Sequence, residues 1–168
     1  MVISIILLII SFLLESFMSI YFPAYYISPS IFTTLYTLIT LVVIYPYFSN
    51  EKKYYLLLTI FAILLDIVYT STILLNIVIF FIISLIIKIL NNIISYNVFT
   101  SCLVSIISVI SYHILSFIIL TILNINSYSL SNLFTIIYSS TLGTIIYSII
   151  VYLVSKILFK KYDLVSIK

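Results

Sequence analysis

The chain has 168 residues, of which 65% are hydrophobic and 7% charged, with a formal net charge of +3 and a mean hydropathy of +1.42. Globular proteins carry about 25% charged residues, and four acids and seven lysines cannot cover the surface of a soluble domain of this length. The figures exclude an ordinary water-soluble fold and point to one membrane domain over residues 1–168.

Crossing a bilayer takes roughly 20 apolar residues, with about 17 to 25 tolerated. The first such run covers about Val2 to Phe22. It has no preceding basic residue and no small-residue cleavage site after it, so it reads as a retained helix and not a signal peptide. It ends before Pro23 and Pro29, which bracket a short connection. The second runs from about Ile31 to Phe48 and is stopped by SNEKK at 49–53. From Tyr54 to Ile89 the chain stays apolar for too long to be one helix, which predicts two helices turning near TSTILLN at 70–76. The fifth run lies between NN at 91–92 and NIN at 124–126, from about Val98 to Leu123, and the sixth begins near Leu133 and finishes in the basic tail SKILFKKYDLVSIK. The expected fold is an all-α integral membrane protein of six transmembrane helices.

All the positive charge is lysine: Lys52, Lys53, Lys88, Lys156, Lys160, Lys161 and Lys168. Six crossings that start in the cytoplasm place every one of them on the cytoplasmic side, as the positive-inside rule requires. Both termini are therefore expected to be cytoplasmic. The lysines are a topology signal and not a nucleic-acid footprint.

Under that topology Glu15 and Asp66 each lie about 12 residues from the inner end of their helix, roughly 18 Å at 1.5 Å per residue, and His113 lies at roughly 22 Å. Three of the few titratable groups thus share one layer in the outer half of the bilayer. Such groups are costly, face the protein interior and are candidates for function. Packing or partner docking is the expected role of Glu15 and Asp66, with a proton or ion route as the alternative. Ser11, Ser16 and Ser19 are hydroxyl partners within reach of Glu15, and Tyr69 and Thr70 within reach of Asp66. His113, beside Tyr112, reads as a hydrogen-bonded packing residue. It has no His or Cys at ligand spacing, so no metal is expected.

In the sixth helix Thr135, Ser139 and Gly143 recur every four residues beside a parallel row of Ser140, Thr144 and Ser148. Small residues at this spacing let helix backbones approach closely, either inside the chain or with a partner helix, and Ser139, Ser140, Gly143 and Thr144 are the candidate partner contact. Helix five has a comparable face at Ser101, Ser105 and Ser108. Tyr21, Tyr25, Tyr45, Tyr47, Tyr54 and Tyr55 sit near helix ends and suit an interfacial belt. The lone Cys102 excludes an internal disulfide and a thiolate zinc site. The sequence has no Gly-rich phosphate loop, HExxH or GxSxG, so neither catalysis nor a cofactor is expected.

The arrangement resembles the bacterial rod shape-determining protein MreD family over nearly the whole chain. LLES at 13–16 with Pro23 and Pro29 after it, AILLDIVYTSTILLN at 62–76 and SSTLGTIIYSIIVYLVSKIL at 139–158 carry the likeness. Members usually carry glycines around the aspartate, where this chain has Ala62, Ser71 and Thr72. The resemblance implies a non-enzymatic subunit of the cell-elongation machinery in the bacterial plasma membrane. Its partner would be a bitopic MreC-like protein and, through it, MreB filaments and the glycosyltransferase and penicillin-binding protein that build lateral peptidoglycan. The alternative is the substrate-binding membrane subunit of an energy-coupling-factor vitamin transporter. That class usually docks through an alanine-rich first helix, whereas this chain has only Ala24 and Ala62.

The topology makes a direct prediction. In a chain lacking Cys102, single cysteines at Asn50 and Lys161 should resist membrane-impermeant thiol reagents in intact cells, and one at Asn126 should react. Labelling at Asn50 or Lys161 would reverse the orientation.

Overall fold

The computed structural model describes residues 1–21, 35–69, 74–123 and 129–161. Its elements are α1 (Val2–Tyr21), α2 (Tyr36–Ile44) running into a 3-10 turn (Tyr45–Tyr47), α3 (Glu51–Tyr69), α4 (Leu75–Ile93), α5 (Val98–Ile122) and α6 (Leu130–Lys161). There is no strand among the described residues. Helices suit an apolar surrounding because they satisfy their backbone polar groups internally. Three of them, α4, α5 and α6, are long and apolar enough to cross a membrane. With the composition of the chain, they mark a membrane protein. The similarly long α3 is less apolar, because it carries Glu51, Lys52, Lys53 and Asp66.

The long apolar run from Tyr54 breaks into two helices as the sequence predicts, α3 ending at Tyr69 and α4 beginning at Leu75. SNEKK, expected to be a connection, instead starts α3. Asn50 accepts the Lys52 N–H through its side chain at 2.9 Å and the Lys53 N–H through its carbonyl at 3.2 Å. A local cap followed by a glutamate in the first turn favours a helix start. Asn97 and Thr100 form a reciprocal capping box at the start of α5. The second apolar run is α-helical only to Ile44, because Pro46 has no N–H to donate and tightens the last turn to 3-10. Its predicted first residues, 31–34, lie outside the described residues.

Successive helices alternate in direction. Met1, at the start of α1, lines one cavity together with Lys53 near the start of α3 and Phe159 near the end of α6. At this same end Lys88 of α4 pairs with Glu51 of α3 at 2.8 Å, and Tyr96, just before α5, packs on Tyr152 of α6 with ring centroids 5.2 Å apart. Lysines that are far apart in sequence thus gather at one end of the bundle.

The short α2 occupies the centre and packs against α1, α4, α5 and α6. All of its residues from Thr37 to Ile44 are buried, as expected of a helix without a polar face. The outer helices turn apolar stripes outward: on α6, Phe134, Tyr138, Leu142, Ile146 and Ile150 are exposed every fourth residue. Tyr54, expected in the interfacial belt, is instead fully buried, edge-on to Tyr45 and Phe48. Its ring closes the gap between α3 and the 3-10 turn. Tyr45, Tyr47 and Tyr55 are half-buried. Tyr25 and the Tyr21 side chain lie outside the described residues.

Centrality of α2 makes Ile39, 0% exposed, a sensitive position and Ile146, 57% exposed, an insensitive one. Ile39→Ala should lower stability by about 2 kcal/mol or more through lost packing, with Ile146→Ala within about 0.5 kcal/mol of the parent. Thermal unfolding of the detergent-solubilised chain checks this. Equal effects would be inconsistent with a central α2.

Candidate functional site: a polar layer linking the helices

The first N–H groups of any helix have no intrahelical acceptor. Water ordinarily completes them, but it is scarce at membrane depth. Both α2 and α4 follow a leucine at the capping position, Leu35 and Leu74, and neither has a side-chain cap of its own. The acceptor comes from the preceding helix in each case. Glu15 of α1 accepts the Thr37 N–H through Oε2 at 3.0 Å. Asp66 of α3 accepts the Asn76 N–H through Oδ1, also at 3.0 Å. Thr37 and Asn76 are each the second residue of their helix, where the partial positive charge of the helix dipole favours a carboxylate. Leu74 adopts φ 74°, a left-handed conformation that costs a residue with a β-carbon about 1 kcal/mol. That turn delivers the start of α4 to Asp66.

These two bonds anchor a wider layer. The Tyr112 hydroxyl of α5 donates to Asn76 Oδ1 at 2.7 Å. The hydroxyls of Ser16 on α1 and Tyr69 on α3 are hydrogen-bonded to each other. One turn into α2, Thr40 Oγ1 lies 3.2 Å from the Tyr147 hydroxyl of α6. The contacts Glu15–Thr37, Ser16–Tyr69, Asp66–Asn76, Asn76–Tyr112 and Thr40–Tyr147 join all six helices in one connected set. Aromatic rings wall it: Tyr36 meets Tyr147 edge-on at 4.7 Å, and Phe12 meets Tyr69 at 5.9 Å.

Glu15 and Asp66 thus enter one connected set, each through a backbone N–H that residue identity did not mark. Ser11 donates to its own helix at the Leu7 carbonyl, 2.6 Å away, and Tyr69 serves Ser16. Thr70 lies outside the described residues, as does the Ser19 side chain. The physical reason is that a serine hydroxyl in a helix can bond the carbonyl one turn back, whereas a buried helix start has no such internal solution. His113 neighbours the layer through the edge-on Tyr112 ring at 5.7 Å. Its Nε2 is buried and has no hydrogen-bond partner among the described residues, so the bonded packing role expected of it is not observed at that atom. No group of His, Cys, Asp and Glu among the described residues could hold a metal ion.

On α6 the two small-residue rows have different fates. Ser140, Thr144 and Ser148 are buried in the chain's own packing, where α6 meets α5 and α2. Ser140 and Thr144, read from sequence as partner-helix candidates, are therefore used internally. Ser139 and Gly143 remain half-buried. Ser101, Ser105 and Ser108 of α5 are likewise buried, and Ser148 donates to Cys102 Sγ at 3.2 Å. The sequence reading overlooked Thr37, Asn76 and Tyr112. Asn76 had a visible signal, a lone amide at the head of an apolar run.

No protein-family model matches the chain, and no curated protein or solved structure is detectably similar to it.

The capping geometry predicts how substitutions behave. Asp66→Asn and Glu15→Gln keep a side-chain oxygen that can accept the same N–H, so each should retain most of the parent stability. Asp66→Leu and Glu15→Leu leave a helix start without its acceptor and should cost about 1–3 kcal/mol each. Unfolding temperatures of the solubilised variants test the contrast. If the amide variants fell as far as the leucine variants, the negative charge itself would be required.

Proposed function

We propose that the protein is a non-enzymatic scaffold subunit of the bacterial cell-elongation complex, one domain of six membrane crossings with both termini in the cytoplasm. It acts by helix-mediated association with a bitopic MreC-like protein in the plasma membrane. Through that protein it reaches MreB filaments and the glycosyltransferase and penicillin-binding protein of lateral peptidoglycan synthesis. The observation that carries the reading is the use of the two membrane-depth acids. Both accept backbone N–H groups at helix starts, which is a task of assembly and not of turnover. The likeness at 62–76 falls on this feature: Asp66 and Asn76 both lie in that stretch. The gathering of lysines at one end supports cytoplasmic termini. For the partner helix, half-buried Ser139 and Gly143 beside exposed Tyr138 and Leu142 offer a close-approach surface on α6.

Protein extracted from native membranes in mild detergent should bring with it a single-span MreC-like partner, and depletion should give rounded, widened cells. Gly143→Leu should weaken the association by obstructing the backbone approach, without lowering the unfolding temperature. Recovery of a tightly bound vitamin, or of an ATPase pair with its coupling subunit, would replace this reading with the substrate-binding subunit of an energy-coupling-factor transporter.

A further inference from the structure

At the end of the bundle opposite the acidic layer, a cavity of about 190 Å³ lies between the starts of α1 and α3 and the last turns of α6. Its polar lining is Ser4, Ser49, Asn50 and Lys53, and its aromatic lining includes Tyr47 and Phe159, which stack at 4.3 Å with planes 10° apart. No acid lines it. Glu51, two residues before Lys53, directs its carboxylate to Lys88 at 2.8 Å and borders a different cavity. Lys53 is thereby left without a carboxylate partner among the described residues. Ser4 is 2% exposed, faces this cavity, and has no hydrogen-bond partner for its hydroxyl among the described residues. The positive dipole ends of α1 and α3, helices of 20 and 19 residues, converge here as well. A serine hydroxyl that opens onto the cavity, an ammonium without a carboxylate partner among the described residues, and two helix starts all favour an anion.

We propose that this cavity binds the phosphate of an anionic phospholipid headgroup. Lys53 supplies the charge, Ser4, Ser49 and Asn50 supply donors, and the Tyr47–Phe159 stack supports the glycerol and the first acyl carbons. The phosphate belongs to a lipid and not to a soluble ion because the site sits where apolar surface ends. The exposed Ile6, Ile9 and Ile10 of α1 run from it toward the middle of the bundle, and aromatic rings are at home at headgroup level.

The test is native mass spectrometry of the full chain in neutral detergent, titrated with short-chain phosphatidylglycerol or phosphatidylcholine. Phosphatidylglycerol should bind at least about fivefold more tightly, the scale of one lysine at an anionic membrane surface. Lys53→Gln should remove most of that preference, and Ser4→Ala should weaken phosphatidylglycerol binding about two- to threefold, on the scale of one weak hydrogen bond. Lys52→Gln, which changes the same charge outside the cavity, should leave the preference nearly intact. Equal losses from Lys52→Gln and Lys53→Gln with Ser4→Ala silent would overturn the site in favour of diffuse surface attraction. Displacement of the lipid by millimolar inorganic phosphate would overturn the lipid assignment and leave a soluble-phosphate site. Equal binding of both lipids by the parent chain would overturn the proposal outright.

Discussion

A helix that begins away from water must find acceptors for its first amide N–H groups, and in this protein two carboxylates provide them across helix boundaries. Each half of such a contact is unfavourable alone. An acid at membrane depth is costly without a partner, and an unpaired buried N–H loses most of the free energy of a hydrogen bond. Together they offset one another, and a carboxylate makes a stronger acceptor than a neutral oxygen. The remaining contacts of the layer depend on these two. Asp66 fixes the first turn of α4, so the Asn76 amide can receive Tyr112 and draw in α5. Glu15 fixes the first turn of α2, which sets Thr40 opposite Tyr147 and draws in α6.

Central placement of α2 follows from the same constraint. Lipid tails are as apolar as leucine, so burial of Ile39 or Val43 gains little from leaving lipid. Helices in this setting associate through close packing and hydrogen bonds. A short helix with no polar face can be held at the centre only if its ends are tied. Glu15 ties one end, and at the other the Tyr96 hydroxyl donates to the Val43 carbonyl at 2.8 Å. Around it, α5 and α6 approach through Ser101, Ser105 and Ser108 on one helix and Ser140, Thr144 and Ser148 on the other. Thr144 and Ser148 bond carbonyls of their own helix at 2.8 and 2.9 Å, so their small side chains can be buried there. That internal use is what separates Ser140 and Thr144 from Ser139 and Gly143, one position round the helix.

Helix positions were legible in the sequence because apolar length and its interruptions encode them directly. The split of the run from Tyr54 to Ile89 followed from length alone. That Glu15 and Asp66 lie at similar heights along their helices was legible too, since rise per residue converts position into height. Their partners were not. A backbone N–H leaves no trace in residue identity, so nothing at Thr37 marked it as the donor to Glu15, and the nearby serines were more conspicuous. Tyr54 was misread for a related reason: proximity to a helix end is visible in sequence, but rotation toward the 3-10 turn at Tyr45–Tyr47 is not. The α6 rows were ambiguous because internal and external helix contacts demand the same small residues.

The way each helix starts distinguishes the surroundings of its first turn. Where the start is near the basic end, the cap is a local polar side chain: Asn50 for α3, and Asn97 with Thr100 for α5. The long α6 begins at an exposed turn and uses Ser129, whose carbonyl accepts the Asn132 N–H at 3.1 Å. Among the described residues only α2 and α4 begin after leucines, and only they take a remote acid. Leu74 is 58% exposed, so a polar residue there would project from the apolar outer surface, where leucine is at home. Supplying the acceptor from the interior, on the preceding helix, satisfies the amide without placing a polar group on that surface. It also couples each of these starts to its neighbour, α2 to α1 through Glu15 and α4 to α3 through Asp66, so the stability of the later helix draws on the earlier one.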